Sequence, residues 1–404
     1  MDNQTKKVLI LGGGIAGLTA AWELSRQNIS VELVEKSCFL GGHAIGFTCK
    51  ATDKCQQCGA CSVEDMLKNV VNEPLINVHL RTEIKELKKS AKFNITLTKS
   101  DIELPDSQIK NLPSGKAAKG FSKYNNPLYV TDSDKDKMGS SCQITADAVI
   151  VATGYSPFDP NRKSTYGYGK WKNVITGLDL ENIIRENGSL VRPSDGQKPQ
   201  KVAFIQCVGS RDERLGNLWC SEVCCPYAMR MAGTVKHDNP NADITMFYID
   251  IQNSGKEFPV FYEKIKQNIR FVRTIPVDIY PLENDGLELR HMAEEEGSPS
   301  SESFDLVVLS VGIMPGKDSG KLSEITGIPV NQDGFLDNEI SCCPCSSSAK
   351  STQASQPSTS SQSASSIAGL FVAGTAKGPA GIAASMADAG KTAFEAMKYL
   401  GVIK

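Results

Sequence analysis

The chain has 404 residues, of which 40% are hydrophobic and 22% charged, with a formal net charge of −2. That length allows two or three domains with a sizeable core, and the charge gives no electrostatic case for nucleic acid or an anionic membrane surface. No apolar run reaches the roughly 18 residues of a membrane span and the N-terminus lacks a signal-peptide core, so a cytoplasmic protein is expected.

Residues 6–14 (KKVLILGGG) read as a buried parallel strand entering a glycine turn, and residues 15–27 follow helical periodicity. VELVEK at 31–36 is the next strand, so the opening is a βαβ unit. Strand-like segments recur at 128–131 and 147–152. A second β–loop–helix–β unit starts with KVAFIQC at 201, passes an apolar-periodic stretch at 221–236 and returns with ADITMFYIDI. An amphipathic stretch at 257–268, FDLVVLSVG at 304–312, GLFVAGT at 369–375 and a closing helix continue the alternation. This pattern predicts an α/β fold with two Rossmann-like dinucleotide-binding domains. Polar stretches at 105–140, 291–303 and 346–366 read as surface insertions, the last a Ser-rich flexible loop by composition.

Gly12, Gly14 and Gly17 give G-x-G-x-x-G between strand and helix, with Ile15 and Ala16 inside the motif. Glycine there permits the tight turn, the approach of a pyrophosphate to the helix N-terminus, and close helix–strand packing. Glu35, followed by Lys36, ends the second strand, where a carboxylate accepts ribose hydroxyls and repels a 2′-phosphate. That motif does not separate NAD from FAD. Three further segments bear on the choice: Gly41-Gly42, Ala152-Thr153-Gly154 at the end of a buried strand, and Gly374-Thr375 with Lys377 before a helix start at Gly381-Ile382. Together they resemble the fingerprints of the thioredoxin-reductase and glutathione-reductase flavoproteins, which implies FAD on these residues. In that family the last motif usually reads Gly-Asp; Thr375 substitutes a hydroxyl for the charged acceptor. The helix start is expected to point backbone donors at the flavin, and Lys377, if it faces the ring, to favour anionic reduced forms.

Such reductases carry a second glycine loop for a nicotinamide nucleotide. Here only Gly209 and Gly216 remain in the corresponding turn, and Cys207, Cys220, Cys224 and Cys225 stand around it. Cys207 ends a strand, while Cys224 and Cys225 fall in the first turns of a helix. Cys220 and Cys224 are expected to share a helix face through their i, i+4 spacing. Thirteen cysteines, an odd and clustered set, argue for metal or redox thiols over a disulfide framework. Thiolate ligation suits iron–sulfur or zinc, and the paired C-x-x-C spacing of structural zinc is absent. An iron–sulfur cluster is the first reading, ahead of zinc and of buried bystander thiols. His43, His79, His237 and His291 form no zinc-like group and read as solvated or core histidines.

The string CVGSRDE…WCSEVCCPYAMR behind a flavin domain resembles the A subunit of heterodisulfide reductase and its relatives. Those relatives include the A-like subunits of the sulfur-oxidising heterodisulfide-reductase-like complex and of the quinone-interacting oxidoreductase. The resemblance implies FAD, a [4Fe-4S] cluster on Cys207, Cys220, Cys224 and Cys225, and an electron-transfer role in sulfur-compound chemistry. It also implies B- and C-like partner subunits or a homodimer. The division expected is an FAD-binding part at 1–160, a second Rossmann-like domain carrying the cluster at 161–316, and a returning FAD-binding part at 317–404. The methanogen protein carries additional ferredoxin-like modules that are not visible here, which favours the sulfur-oxidising or quinone-linked branch.

A second group, Cys49, Cys55, Cys58 and Cys61, follows Gly41-Gly42. It reads as a second cluster, a redox dithiol or a structural group, and the sequence leaves the three open. Cys342, Cys343 and Cys345 read as partner-contact or surface thiols, and Cys38 and Cys142 are unassigned. Two other functional classes stay open: a stand-alone NAD(P)H-dependent thiol-disulfide oxidoreductase using the Cys49–Cys61 group, and a zinc-stabilised scaffold.

Overall fold

The run VLIL at 8–11 offers no polar residue to a solvent face, and the Lys7–Leu11 strand accordingly lies in the middle of a parallel sheet, buried on both sides. The computed structural model describes residues 5–99, 141–252, 258–293, 297–337 and 367–403. The first sheet runs Leu370–Val372, Ala148–Val151, Lys7–Leu11, Ser30–Val34, Ile76–His79, with every pair parallel. The strands nearest the two chain ends therefore share one sheet. Helices Ile15–Ser25, Ala60–Asn72 and Ile382–Tyr399 cover one face through Leu18, Leu24, Val63, Val70 and Ala393. The other face meets an antiparallel sheet of Thr82–Lys89, Phe93–Lys99 and Ser141–Ala146, whose Phe93, Ile95 and Leu97 point inward.

A second parallel sheet has the order Arg270–Val272, Asp243–Phe247, Lys201–Val208, Leu306–Val311, Val174–Thr176. Helices Gly177–Asn187, Cys224–Asp238 and Phe258–Lys266 pack on one side of it, around Phe204, Met229 and Met246. A three-stranded antiparallel sheet, Asp278–Pro281, Leu287–Met292 and Pro299–Phe304, covers the other. The chain crosses between the two parallel sheets along one short antiparallel pair, Tyr155–Pro157 against Ile313–Pro315.

Two expectations change. The stretch 291–303 is not a surface insertion: its flanks are strands, and Leu287, Leu289 and His291 alternate inward while charged residues face out. Cys220 is not on a helix, because the helix begins at Cys224 and Glu222 just before it has φ 59°. The i, i+4 relation between Cys220 and Cys224 therefore does not exist, and an extended loop brings Cys220 in instead. The expected strand at 128–131, the insertion at 105–140, the Ser-rich loop and Cys342, Cys343 and Cys345 lie outside the described residues. Among the described residues no helix is long and apolar enough to cross a membrane.

Candidate functional site

The glycine turn has the shape its sequence requires. Gly12 has φ 107°, and a Cβ there would stand 2.3 Å from the Ala152 carbonyl oxygen; one on Gly17 would stand 1.8 Å from the Gly12 oxygen. Any side chain at either position would have to push backbone apart. The Glu35 carboxylate accepts from Gly13 N at 2.6 Å and from Ser37 N at 2.7 Å, so it holds the turn from behind. Gly41 donates to the Gly13 carbonyl at 2.8 Å, and a Cβ on Gly42 would lie 3.1 Å from the Gly14 Cα. Gly14 caps the Ile15–Ser25 helix with no side-chain hydrogen bond, and buried Ala16 lies in its first turn. Lys36 instead pairs with Asp318. A close backbone cradle in front of an uncapped helix start is what a dinucleotide pyrophosphate needs, and the residues present fit FAD.

Ala152 continues from the buried Ala148–Val151 strand, donating to the Leu11 carbonyl at 2.7 Å, and Thr153 and Gly154 follow it. A Cβ on Gly154 would stand 3.8 Å from the Thr375 hydroxyl, so two of the expected flavin segments meet. Gly374 donates its N–H to Asp388 at 2.7 Å, and Lys377 Nζ contacts the same carboxylate at 2.6 Å. Lys377 therefore has its charge balanced within the protein. Asp388 was not singled out in the sequence; it lies on the closing helix, and only its spacing to Gly374 hints at this contact. That helix, Ile382–Tyr399, starts at Gly381 without a side-chain cap.

Of the four cysteines in the second domain, Cys207, Cys224 and Cys225 are buried and Cys220 is half-buried. Cys207 sits at the strand end with φ 58°. A hydrogen bond with Cys224 and the nearby Arg211 charge hold its thiol below the usual range despite burial. The same bond, with one to Cys225 and with burial, pushes the Cys224 thiol well up. Cys225 is lowered by its bond with Cys224, and Cys220 is raised mainly by burial. Cys220 Sγ accepts from Glu222 N at 3.3 Å, and its field reaches Cys207 and Cys225. Arg211, ion-paired with Asp250, puts a cation against Cys207 and Cys220. The Cys224–Asp238 helix, like the other two at this site, starts with no side-chain cap. The Gly177–Asn187 helix, by contrast, carries a full Thr176–Asp179 capping box.

The donor set is a hydrogen-bonded trio, Cys207, Cys224 and Cys225, with Cys220 within electrostatic reach of two of them, beside a cation and an uncapped helix start, a chemistry that suits an anionic thiolate cluster. Among the described residues no three His, Cys, Asp or Glu side chains converge to hold a single metal ion. In the corresponding turn of the second domain Gly209 has φ 84°, and a Cβ there would stand 2.0 Å from Cγ of Phe158, so the ring packs directly against the backbone.

The Cys49–Cys61 loop bridges the two halves. Buried Lys50 pairs with buried Glu181, and Thr48 N donates to the same carboxylate at 2.8 Å. Arg230 Nε, on the cysteine-bearing helix, donates to the Gln56 carbonyl at 2.8 Å, and burial lowers the guanidinium's pKa while the nearby Cys58 partly offsets this. A Cβ on Gly59 would lie 3.2 Å from Ile382 Cγ2. Cys49, Cys55 and Cys61 are exposed, Cys58 is half-buried, and all four are free thiols.

The two helix starts face each other at close range. Val223, just before Cys224, has its Cγ1 3.9 Å from the Cβ position of Gly381. Comparison with known proteins gives this geometry a lineage. The A subunit of the H(2):CoB-CoM heterodisulfide,ferredoxin reductase of Methanothermobacter thermautotrophicus is 33% identical over 82% of this chain. The second iron-sulfur A subunit of the CoB--CoM heterodisulfide reductase of Methanopyrus kandleri is 30% identical over 98% of it.

The chain is homologous to the A subunits of heterodisulfide reductases.

It spans 57% and 64% of the lengths of those two relatives. The family of NAD(P)-binding Rossmann-like domains matches residues 10–56. In fold the chain is similar to the thioredoxin reductase of T. acidophilum, with a TM-score of 0.56 at 14% identity covering 99% of this chain and 100% of that one. The Lactococcus lactis enzyme gives 0.55 at 14% identity, covering 99% and 100%. The architecture is thus a thioredoxin-reductase-like, mixed α/β fold.

Proposed function

We propose that the chain is a flavin-dependent oxidoreductase carrying FAD and one [4Fe-4S] cluster. In this reading it is the electron-transfer component of a cytoplasmic heterodisulfide-reductase-like complex with B- and C-like partners, acting in sulfur-compound oxidation or reduction. The observation that carries the reading is the abutment of two uncapped helix starts, one bearing Cys224 and Cys225 and the other closing the flavin side. When bound, FAD exchanges electrons in pairs and the cluster passes them singly.

The chain's own residues define the rest. Glu35 keeps the glycine turn in the shape that admits a pyrophosphate. The free N–H groups at Gly381-Ile382 favour negative charge near the ring, and those at the Cys224 helix start favour thiolate. Arg211 offsets the charge of the four sulfurs while Asp250 fixes its position. The turn after the Lys201–Val208 strand keeps only Gly209 and Gly216 and lacks the G-x-G-x-x-G spacing of a nicotinamide loop, which favours protein partners over NADH. The homology with heterodisulfide reductase A subunits supports the same assignment.

Photoreduction of the anoxic protein tests the coupling. Bleaching of the flavin is expected to be followed by an iron–sulfur EPR signal in the same sample, whereas NADH leaves the flavin oxidised. Rapid bleaching by NADH, or a reduced flavin with no paramagnetic iron, contradicts the reading.

A further inference from the structure

Beside Cys207 stands a buried amide with nothing to bond. Gln206 is 0% exposed, and neither its Nε2 nor its Oε1 has a hydrogen-bond partner among the described residues. Burying an amide in this state is costly, and native proteins retain one only where a water, an ion or a redox group takes up the bond.

The strand tells where the amide faces. Along Lys201–Val208 the side chains alternate, and Val202 and Phe204 pack with Cys224, Cys225 and Ala228. Gln206 is the next residue on that face. The ladder then breaks: Ile205 pairs with Leu309 and Val208 with Val311, which leaves Gln206 and Cys207 together opposite Ser310. Such a bulge re-aims side chains, and here Cys207 takes φ 58° and meets Cys224. The unpartnered amide is thus the neighbour of one cysteine and shares a face with two others.

We propose that the Gln206 side-chain N–H donates a hydrogen bond to a sulfur of the iron–sulfur cluster and thereby raises its reduction potential. This rests on the cluster reading given above. The reduced cluster carries one more negative charge than the oxidised one, so a fixed donor stabilises the reduced form more. The full burial of Gln206 keeps bulk water from competing for the donor.

Gln206→Met keeps the side-chain length and removes the donor. The variant is expected to keep its iron and FAD while the cluster midpoint falls. At a fixed potential the reduced-to-oxidised ratio drops up to about tenfold, which is about 59 mV for one electron. An amide with a purely structural role lowers thermal stability on substitution but leaves the midpoint in place. A second readout needs no variant. In wild-type protein carrying 15N in its glutamine side chains, pulsed EPR of the reduced cluster is expected to show a 15N coupling. An unchanged midpoint in iron-loaded Gln206→Met, or no 15N coupling in the wild type, overturns the Gln206 assignment alone. A wild type that holds no iron overturns the cluster reading and this assignment with it.

Discussion

Val223 faces Gly381 across the two halves of the molecule, its Cγ1 3.9 Å from where a Cβ on Gly381 would stand, the distance of an ordinary van der Waals contact for an added methyl. One residue precedes the first helical cysteine, and the other caps the helix behind the expected flavin. That contact has room for a methyl group and little more. Gly381→Ala is therefore expected to change stability by less than about 1 kcal/mol and to retain flavin. Gly381→Phe has to displace Val223 or the helix start, and is expected to lose most of its flavin on gel filtration. Full flavin retention by Gly381→Phe counts against the packing described here.

The Lys50–Glu181 pair is the most deeply buried ion pair described, at 2% and 1% side-chain exposure. Removing one partner leaves a buried charge unpaired, so Lys50→Met is expected to cost about 3–5 kcal/mol in thermal or denaturant unfolding. Adding Glu181→Gln removes the stranded carboxylate and is expected to recover a large part of that loss. A double variant no more stable than Lys50→Met alone argues that the pair does not act as a unit.

The four thiols of the second domain differ from the others in what they touch. Cys220→Ser and Cys225→Ser are each expected to lose at least about one iron of four, or the whole cluster, since a cubane needs four ligands. Cys142→Ser, an exposed position on the Ser141–Ala146 strand, is expected to keep the full complement. Iron analysis after anoxic purification decides between these outcomes.

Acid sensitivity is expected at Glu32. Burial alone raises its pKa, but hydrogen bonds from His79, Lys7 and Asn77 outweigh that and bring it down to about 2. A carboxylate depressed in the folded state contributes stability above its unfolded pKa, and that contribution fades as pH falls from 4.5 towards about 2. Lys7 is 37% exposed, so screening reduces the contribution to on the order of 2 kcal/mol. Glu32→Gln is expected to be less stable than wild type at pH 7, with the gap closing at pH 2–3. A gap that is constant across that range contradicts the assignment.

Much of this was legible in the chain itself. VLILGGG fixes strand, turn and helix start because a continuous apolar run needs two covered faces and the glycines permit the turn. CCPY marks a helix beginning because Pro226 is tolerated in a first turn. The Thr82–Lys89 and Phe93–Lys99 strands were missed. Their outward faces carry Glu86, Lys88, Asn94 and Thr96, which hides the two-residue period in a polar stretch. Lys50 and Glu181 lie 131 residues apart, and nothing local marks them as partners. The misplacement of Cys220 had a different cause. Its i, i+4 spacing to Cys224 is helical by arithmetic, but the left-handed Glu222 prevents the helix from reaching back. Gln206 was invisible for a third reason: an amide in a strand looks ordinary until its surroundings prove to hold no partner.

The most direct test is the iron, acid-labile sulfide and flavin content of the wild-type chain purified without oxygen. The account predicts about four irons and four sulfides with one FAD per chain. Zinc in place of iron, or FAD with no iron at all, contradicts it.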